Sequence, residues 1–173
     1  MILQGKTALV TGGGRGIGRA IAERLSALGA KVVVTGRDPA TLAAVEKELG
    51  AGSLAIRSDI GDLASLDAAY AAVKARHGHI DVLFVNAGIG TFAPIPEVTP
   101  ERWDEVHAVN LKGCFFAAQK ALPLMADGGA IVFTGSIGSV LAVPGNVIYA
   151  AAKSGLRAAA RIFAVELLPR RIR

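Results

Sequence analysis

Short runs of aliphatic and β-branched residues alternate along this chain with longer stretches in which apolar residues return every three or four positions. The short runs are Thr7-Ala8-Leu9-Val10, Lys31-Val32-Val33-Val34-Thr35, Ser53 to Arg57 (the weakest), Val82-Leu83-Phe84-Val85 and Ala130-Ile131-Val132-Phe133. They are continuous rather than alternating in polarity, the pattern of strands buried on both faces. Between them the spacing predicts helices from Ile17 to about Leu28, Pro39 to Leu49, Asp62 to His77, Pro100 to about Met125 and Val147 to Leu168. In the third, Leu63, Leu66, Ala69, Tyr70 and Val73 fall at helical spacing. Pro39 suits a first helical position, Thr99 is the expected N-cap of the fourth helix, and Pro169 stops the last.

Buried strands separated by helices predict an α/β fold, a doubly wound parallel sheet of Rossmann type with helices on both faces. No repeat, low-complexity tract or linker divides residues 1–173, which read as one domain. The alternation breaks off after the fifth strand and the last helix, whereas folds of this type usually run to about six strands. The domain is therefore expected to be incomplete at its C-terminus.

Composition narrows the function. Hydrophobic residues make up 52% of the chain, which excludes a disordered segment. No apolar stretch reaches the length of a membrane span, and Met1 to Lys6 lacks the layout of a secretory signal. Cys114 is the single cysteine, so an internal disulfide is impossible, and a cytoplasmic protein is expected. The net charge of +5 comes from scattered Lys and Arg with few aromatics, which argues against nucleic acid. Arg170-Arg171-Ile172-Arg173 reads as a solvated tail. His77 and His79 sit on a loop and His107 on a helix, so no residue set resembles a metal site.

The first strand runs into Thr11-Gly12-Gly13-Gly14-Arg15-Gly16-Ile17-Gly18. Glycines allow a tight turn and a close approach of backbone to a pyrophosphate, and the helix that follows offers free N–H groups and a favourable dipole. Gly12, Arg15, Gly16, Ile17 and Gly18 are therefore candidate cofactor contacts. The second strand ends in Thr35-Gly36-Arg37, where an NAD enzyme normally places a carboxylate for the ribose hydroxyl. Gly36 leaves space there, and Arg37 offers a planar cation suited to a phosphate, with Arg15 able to approach from the other side. NADP(H) is the expected cofactor; Asp38 comes one position too late to hold the ribose.

The spacing T-G-x-x-x-G-x-G resembles the short-chain dehydrogenase/reductase family, and further matches follow in that family's order across Lys6 to Arg173. The resemblance implies adenine-side contacts at Asp59 and Ile60. It implies a sheet-supporting and cofactor-lining motif at Asn86-Ala87-Gly88, and a catalytic set of Asn110, Ser136, Tyr149 and Lys153. It assigns Asn110 a local helix irregularity and a water leading toward Lys153, and it counts Tyr149 and Lys153 among the cofactor contacts as well, with Lys153 on the nicotinamide ribose. Taken singly, Asn110 reads as a core amide, Ser136 as a turn residue and Tyr149/Lys153 as a solvated pair. Together with the glycine turn they read as a site.

Elementary chemistry agrees with those roles. Tyr149 and Lys153 are four apart and share a helix face. A free tyrosine has a pKa of ~10, and a neighbouring ammonium favours phenolate and suits the side chain for proton transfer. Ser136 can donate a hydrogen bond to the reacting oxygen. The expected activity is hydride transfer between NADP(H) and a secondary alcohol or ketone, without metal. The alternatives are a nucleotide-binding scaffold without turnover and an NAD-dependent alcohol dehydrogenase.

The resemblance also implies a sixth strand after Arg173, then a segment against the nicotinamide, a substrate loop and a last strand. It pairs the helices Pro100–Met125 and Val147–Leu168 across subunits, so a homodimer or homotetramer is expected. Gly90 to Val98 and Ile137 to Val147 are mostly apolar and are expected to border the pocket, which predicts an uncharged, apolar carbonyl substrate.

Overall fold

Successive side chains of β1 (Thr7–Thr11) and β2 (Lys31–Gly36) leave the sheet on opposite faces, and every interior position of both strands is buried. Ala8, Val10, Val32 and Val34 enter one core with Ala22 and Leu25 of α1 (Gly16–Ala27) and Leu42, Val45 and Leu49 of α2 (Pro39–Leu49). Leu9 and Val33 enter the other. They pack there with Leu66, Tyr70 and Val73 of α3 (Leu63–His77), Cys114 and Ala117 of α5 (Cys114–Ala121), and Leu156 of α6 (Val147–Glu166). Strands this continuous in hydrophobicity need helices on both sides, and the computed structural model, which describes residues 1–173, has them.

With β3 (Leu54–Arg57), β4 (Ile80–Val85) and β5 (Met125–Phe133), the strands form one parallel sheet in the order β3-β2-β1-β4-β5. The chain winds outward from β1 to β3, then crosses to the far side of β1. That reversal opens a crevice at the C-terminal ends of β1 and β4, where ligands bind in such sheets. The expected doubly wound α/β architecture is the one observed. No helix is long and apolar enough to cross a membrane.

One expected element is different. In place of a single helix from Pro100 to Met125 there are α4 (Pro100–His107), a π-helical turn over Ala108–Gly113, and α5, and Met125 already belongs to β5. Gly113 packs so tightly on the Ile60 carbonyl that a Cβ there would collide with it. Pro123, lacking an N–H, cannot extend α5. Smaller shifts are that Ser53 lies outside β3, Asp62 is the N-cap of α3, and α6 ends at Glu166.

β5 is an edge of the sheet, yet its middle is not bare. Arg173 donates its N–H to the Gly129 carbonyl at 3.0 Å and accepts from the Ile131 N–H at 2.7 Å, while Ile172 is buried. Arg170, expected in a solvated tail, donates to the carbonyls of Leu122 and Met125 and pairs with Asp127.

Candidate active site

The glycine turn leaves β1 at its C-terminal end and passes directly beneath the end of β4. Gly12 has a φ of +66°, and a Cβ on it would stand 2.9 Å from the Ala87 Cα. Gly18 packs on the Gly12 carbonyl, again with no room for a side chain. Arg15 is the N-cap of α1 in extended conformation, without a capping side-chain bond, and the first turn holds no acidic residue. The first N–H groups of α1 and its positive dipole end are therefore left for an anion.

Beyond the turn, the end of β2 brings Thr35, Gly36 and Arg37 to the same cleft as Arg15. Asp38, the carboxylate nearest to a ribose-binding position, is occupied elsewhere. It caps α2, accepting from the Thr41 hydroxyl and from the Ala40 N–H at 3.1 Å, contacts that hold its carboxyl below the usual range. The Arg37 guanidinium is 4.0 Å from Asp59, both well exposed, so the pair is weak and the cation is free to turn to another anion.

At the other end of the cleft, the tips of β1, β4 and β5 are tied through Asn86. Its Nδ2 donates to the Thr11 carbonyl at 3.2 Å, and its Oδ1 accepts from the Thr134 hydroxyl at 3.1 Å. The Thr11 hydroxyl accepts from the N–H groups of Asn86 and Ala87 at 2.9 and 3.1 Å. Asn110, in the π-helical turn, is 0% exposed and clasps the backbone of Ile89. Its Oδ1 accepts from the Ile89 N–H at 2.8 Å, and its Nδ2 donates to the Ile89 carbonyl at 2.7 Å.

Lys153 is 2% exposed, and its ammonium donates to the Thr134 carbonyl at 2.7 Å. Burial lowers its pKa. Its Nζ lies 5.8 Å from the centre of the Tyr149 ring, one turn back on α6. Ser136 follows β5 and accepts from the Gly138 N–H through Oγ at 3.1 Å. That bond fixes the hydroxyl and leaves its O–H to donate elsewhere.

All the candidate residues except Asn110 line one cleft of about 1010 Å³, from Gly12, Arg15, Gly16, Ile17 and Gly18 through Arg37, Asp59, Ile60, Asn86, Ala87 and Gly88 to Ser136, Tyr149 and Lys153. Asn110 lies beneath its wall. Of the loop expected to border the pocket, Gly90, Thr91 and Phe92 face the cleft, whereas Ala93 is buried and donates to the Gly145 carbonyl at 2.8 Å. Ile137, Gly138, Val143 and Asn146 complete that end. Thr11 and Thr134 were missed from the sequence, because threonines at strand ends ordinarily read as sheet formers. No group of three or more His, Cys, Asp or Glu side chains is placed to hold a metal ion.

The sequence profile of the short chain dehydrogenase family matches residues 6–173. The chain belongs to that family. It is 43% identical over 173 residues to the oxidoreductase asL5 of Sarocladium schorii, covering 99% of this chain and 70% of that protein. To the tetrahydroxynaphthalene reductase PfmaG of Pestalotiopsis fici it is 38% identical over 173 residues, covering 97% of this chain and 62% of the relative. A short chain dehydrogenase from Burkholderia cenocepacia, solved in complex with NADP, superimposes with a TM-score of 0.92 at 38% identity, covering 99% of this chain and 72% of that one.

Proposed function

We propose that the cleft binds NADP(H) and carries out reversible hydride transfer between that cofactor and a secondary alcohol or ketone. The observation that carries this reading is the convergence of Ser136, Tyr149 and Lys153 on the same cleft as the glycine turn. The residues suit the cofactor: the turn leaves space where side chains would collide, the head of α1 is uncapped, and Arg15 and Arg37 face the end where a ribose phosphate would lie. The bound nicotinamide supplies or accepts the hydride.

The protein's own residues manage the oxygen and its proton. Ser136, its lone pair held by Gly138, donates to the carbonyl oxygen and stabilises the charge that develops there. Tyr149 gives that oxygen a proton in reduction and takes it back in oxidation. Lys153, buried one turn along α6 from Tyr149, reaches the cofactor's ribose hydroxyls. Asn110 is a positioning residue: it sets Ile89 and the adjacent Gly88, and the amide N–H and lone pair left over can hold a water toward Lys153.

The pocket end formed by Phe92, Ile137 and Val143 supports an uncharged, largely apolar carbonyl compound. The name of PfmaG, a reductase of a polyhydroxylated bicycle, supports a substrate of comparable breadth. Exposed Ile162, Val165 and Leu168 on and beyond α6 support self-association as a homodimer or homotetramer, which light scattering checks. Oxidation of NADPH by purified chain across a panel of cyclic and aryl ketones tests the activity: ketone-dependent oxidation supports it, and none across the panel refutes it.

A further inference from the structure

Two cations and two carboxylates share the end of the cleft beside the glycine turn: Arg15, Arg37, Asp38 and Asp59. Arg37 stands 4.0 Å from Asp59, both well exposed. Arg15 is in no salt bridge, although Asp38 is close enough to feel its charge. Asp38 is turned instead to the head of α2, where its carboxylate accepts from the Thr41 hydroxyl and from the Ala40 N–H at 3.1 Å. The Thr41 hydroxyl first, then the Ala40 N–H, with a smaller contribution from the charge of Arg15, hold that carboxyl below its ordinary range.

Thr41 is the third residue of α2, where the usual partner of a cap is a Glu or Gln that reaches back to the cap's own N–H. Here a hydroxyl donates to the cap's side chain instead, and the first turn holds no acidic residue. Thr41 is also pressed against the glycine turn: a Cβ on Gly14, the neighbour of Arg15, would stand 3.3 Å from Thr41 Cγ2. The bond to Asp38 is thus made in the wall of the cleft, beside the residue next to Arg15. Without the hydroxyl the exposed carboxylate keeps only backbone donors and is free to answer the cation. A carboxylate on Arg15 opposes a phosphate twice, by occupying the cation and by repelling the anion.

We infer that Thr41 is a positioning residue for the choice of cofactor: by holding Asp38 on the head of α2, its hydroxyl leaves Arg15 free for the 2′-phosphate of NADP(H). The inference rests on the NADP(H) reading and deepens it. NADH, without that phosphate, is much less sensitive to where Asp38 points.

The test is the dissociation constants of NADPH and NADH, measured by isothermal titration calorimetry on the purified chain and its variants. Thr41→Val keeps the shape against Gly14 and should cut the preference for NADPH about fivefold, the upper range of an exposed charge contact, through NADPH alone. Thr41→Ala carries the same expectation, so the test stands if Thr41→Val fails to fold. Thr41→Ser restores the hydroxyl, and the double variant Thr41→Val with Asp38→Asn removes the released charge. Both should keep the preference within about twofold of the wild type. Asp38→Asn alone should not lower it. A preference untouched by loss of the hydroxyl, a loss that falls equally on both nucleotides, a fall that the double variant retains, or a fall in Asp38→Asn alone overturns the role of Thr41 and leaves the NADP(H) reading standing. A wild type that binds the two nucleotides equally, or neither, removes that reading and the inference with it.

Discussion

Asn110 holds Ile89 by both of its backbone polar groups, accepting from the N–H at 2.8 Å and donating to the carbonyl at 2.7 Å. The clasp joins the π-helical turn to the loop that follows Asn86-Ala87-Gly88, so the cleft wall depends on one amide. Asn110→Leu keeps the volume but orphans two backbone groups where Asn110 itself is fully buried. We expect a loss of about 2–4 kcal/mol in denaturant unfolding. A loss below about 0.5 kcal/mol, the size of an ordinary surface substitution, would show that the clasp is dispensable.

On the proposed reading, Arg37 governs the choice of cofactor. Its ion-pair partner is Asp59, at 4.0 Å and well exposed, so a phosphate can recruit it at little cost. Arg37→Asp should weaken NADPH binding by at least about 1.5–3 kcal/mol, the loss of a charge-assisted contact, and leave NADH binding much less affected. Equal affinity of the unmodified chain for both nucleotides contradicts this role.

Much of this was legible in the residues, for identifiable reasons. The strands and most helices announce themselves because burial on both sheet faces leaves unbroken apolar runs such as Val32-Val33-Val34, and Thr99 caps its helix as expected. The π-helical turn at Ala108–Gly113 was not legible in the apolar spacing, which one extra residue per turn leaves nearly unchanged; the resemblance alone pointed to it, through the irregularity it assigns to Asn110, and the close approach of Gly113 to Ile60 is a tertiary contact. Asn110 stood out as polar, but its partner Ile89 did not.

Asp81 makes the sheet sensitive to acid. Burial alone would raise its pKa, but the Thr7 N–H at 2.8 Å and the Lys6 ammonium at 2.9 Å outweigh it and hold the carboxyl below the usual range. A depressed folded-state pKa means stability that is full above the unfolded value of about 3.9 and is lost as pH falls through the folded one. The unfolding free energy should therefore drop more steeply on acidification below about pH 4 than in Asp81→Asn. Parallel pH dependences for the two proteins would contradict this assignment.

The account turns on Tyr149 as the proton donor, with the glycine turn, Arg15, Arg37 and Lys153 supplying most of the hold on the cofactor. The measurement that tests it most directly is single-turnover oxidation of bound NADPH by a saturating ketone, comparing the unmodified chain with Tyr149→Phe. The ring and its packing are retained, so NADPH affinity should stay within about threefold while hydride transfer slows by about 10²–10⁴. Transfer at an undiminished rate in Tyr149→Phe would show that another group protonates the oxygen, and the proposed catalytic arrangement would not stand.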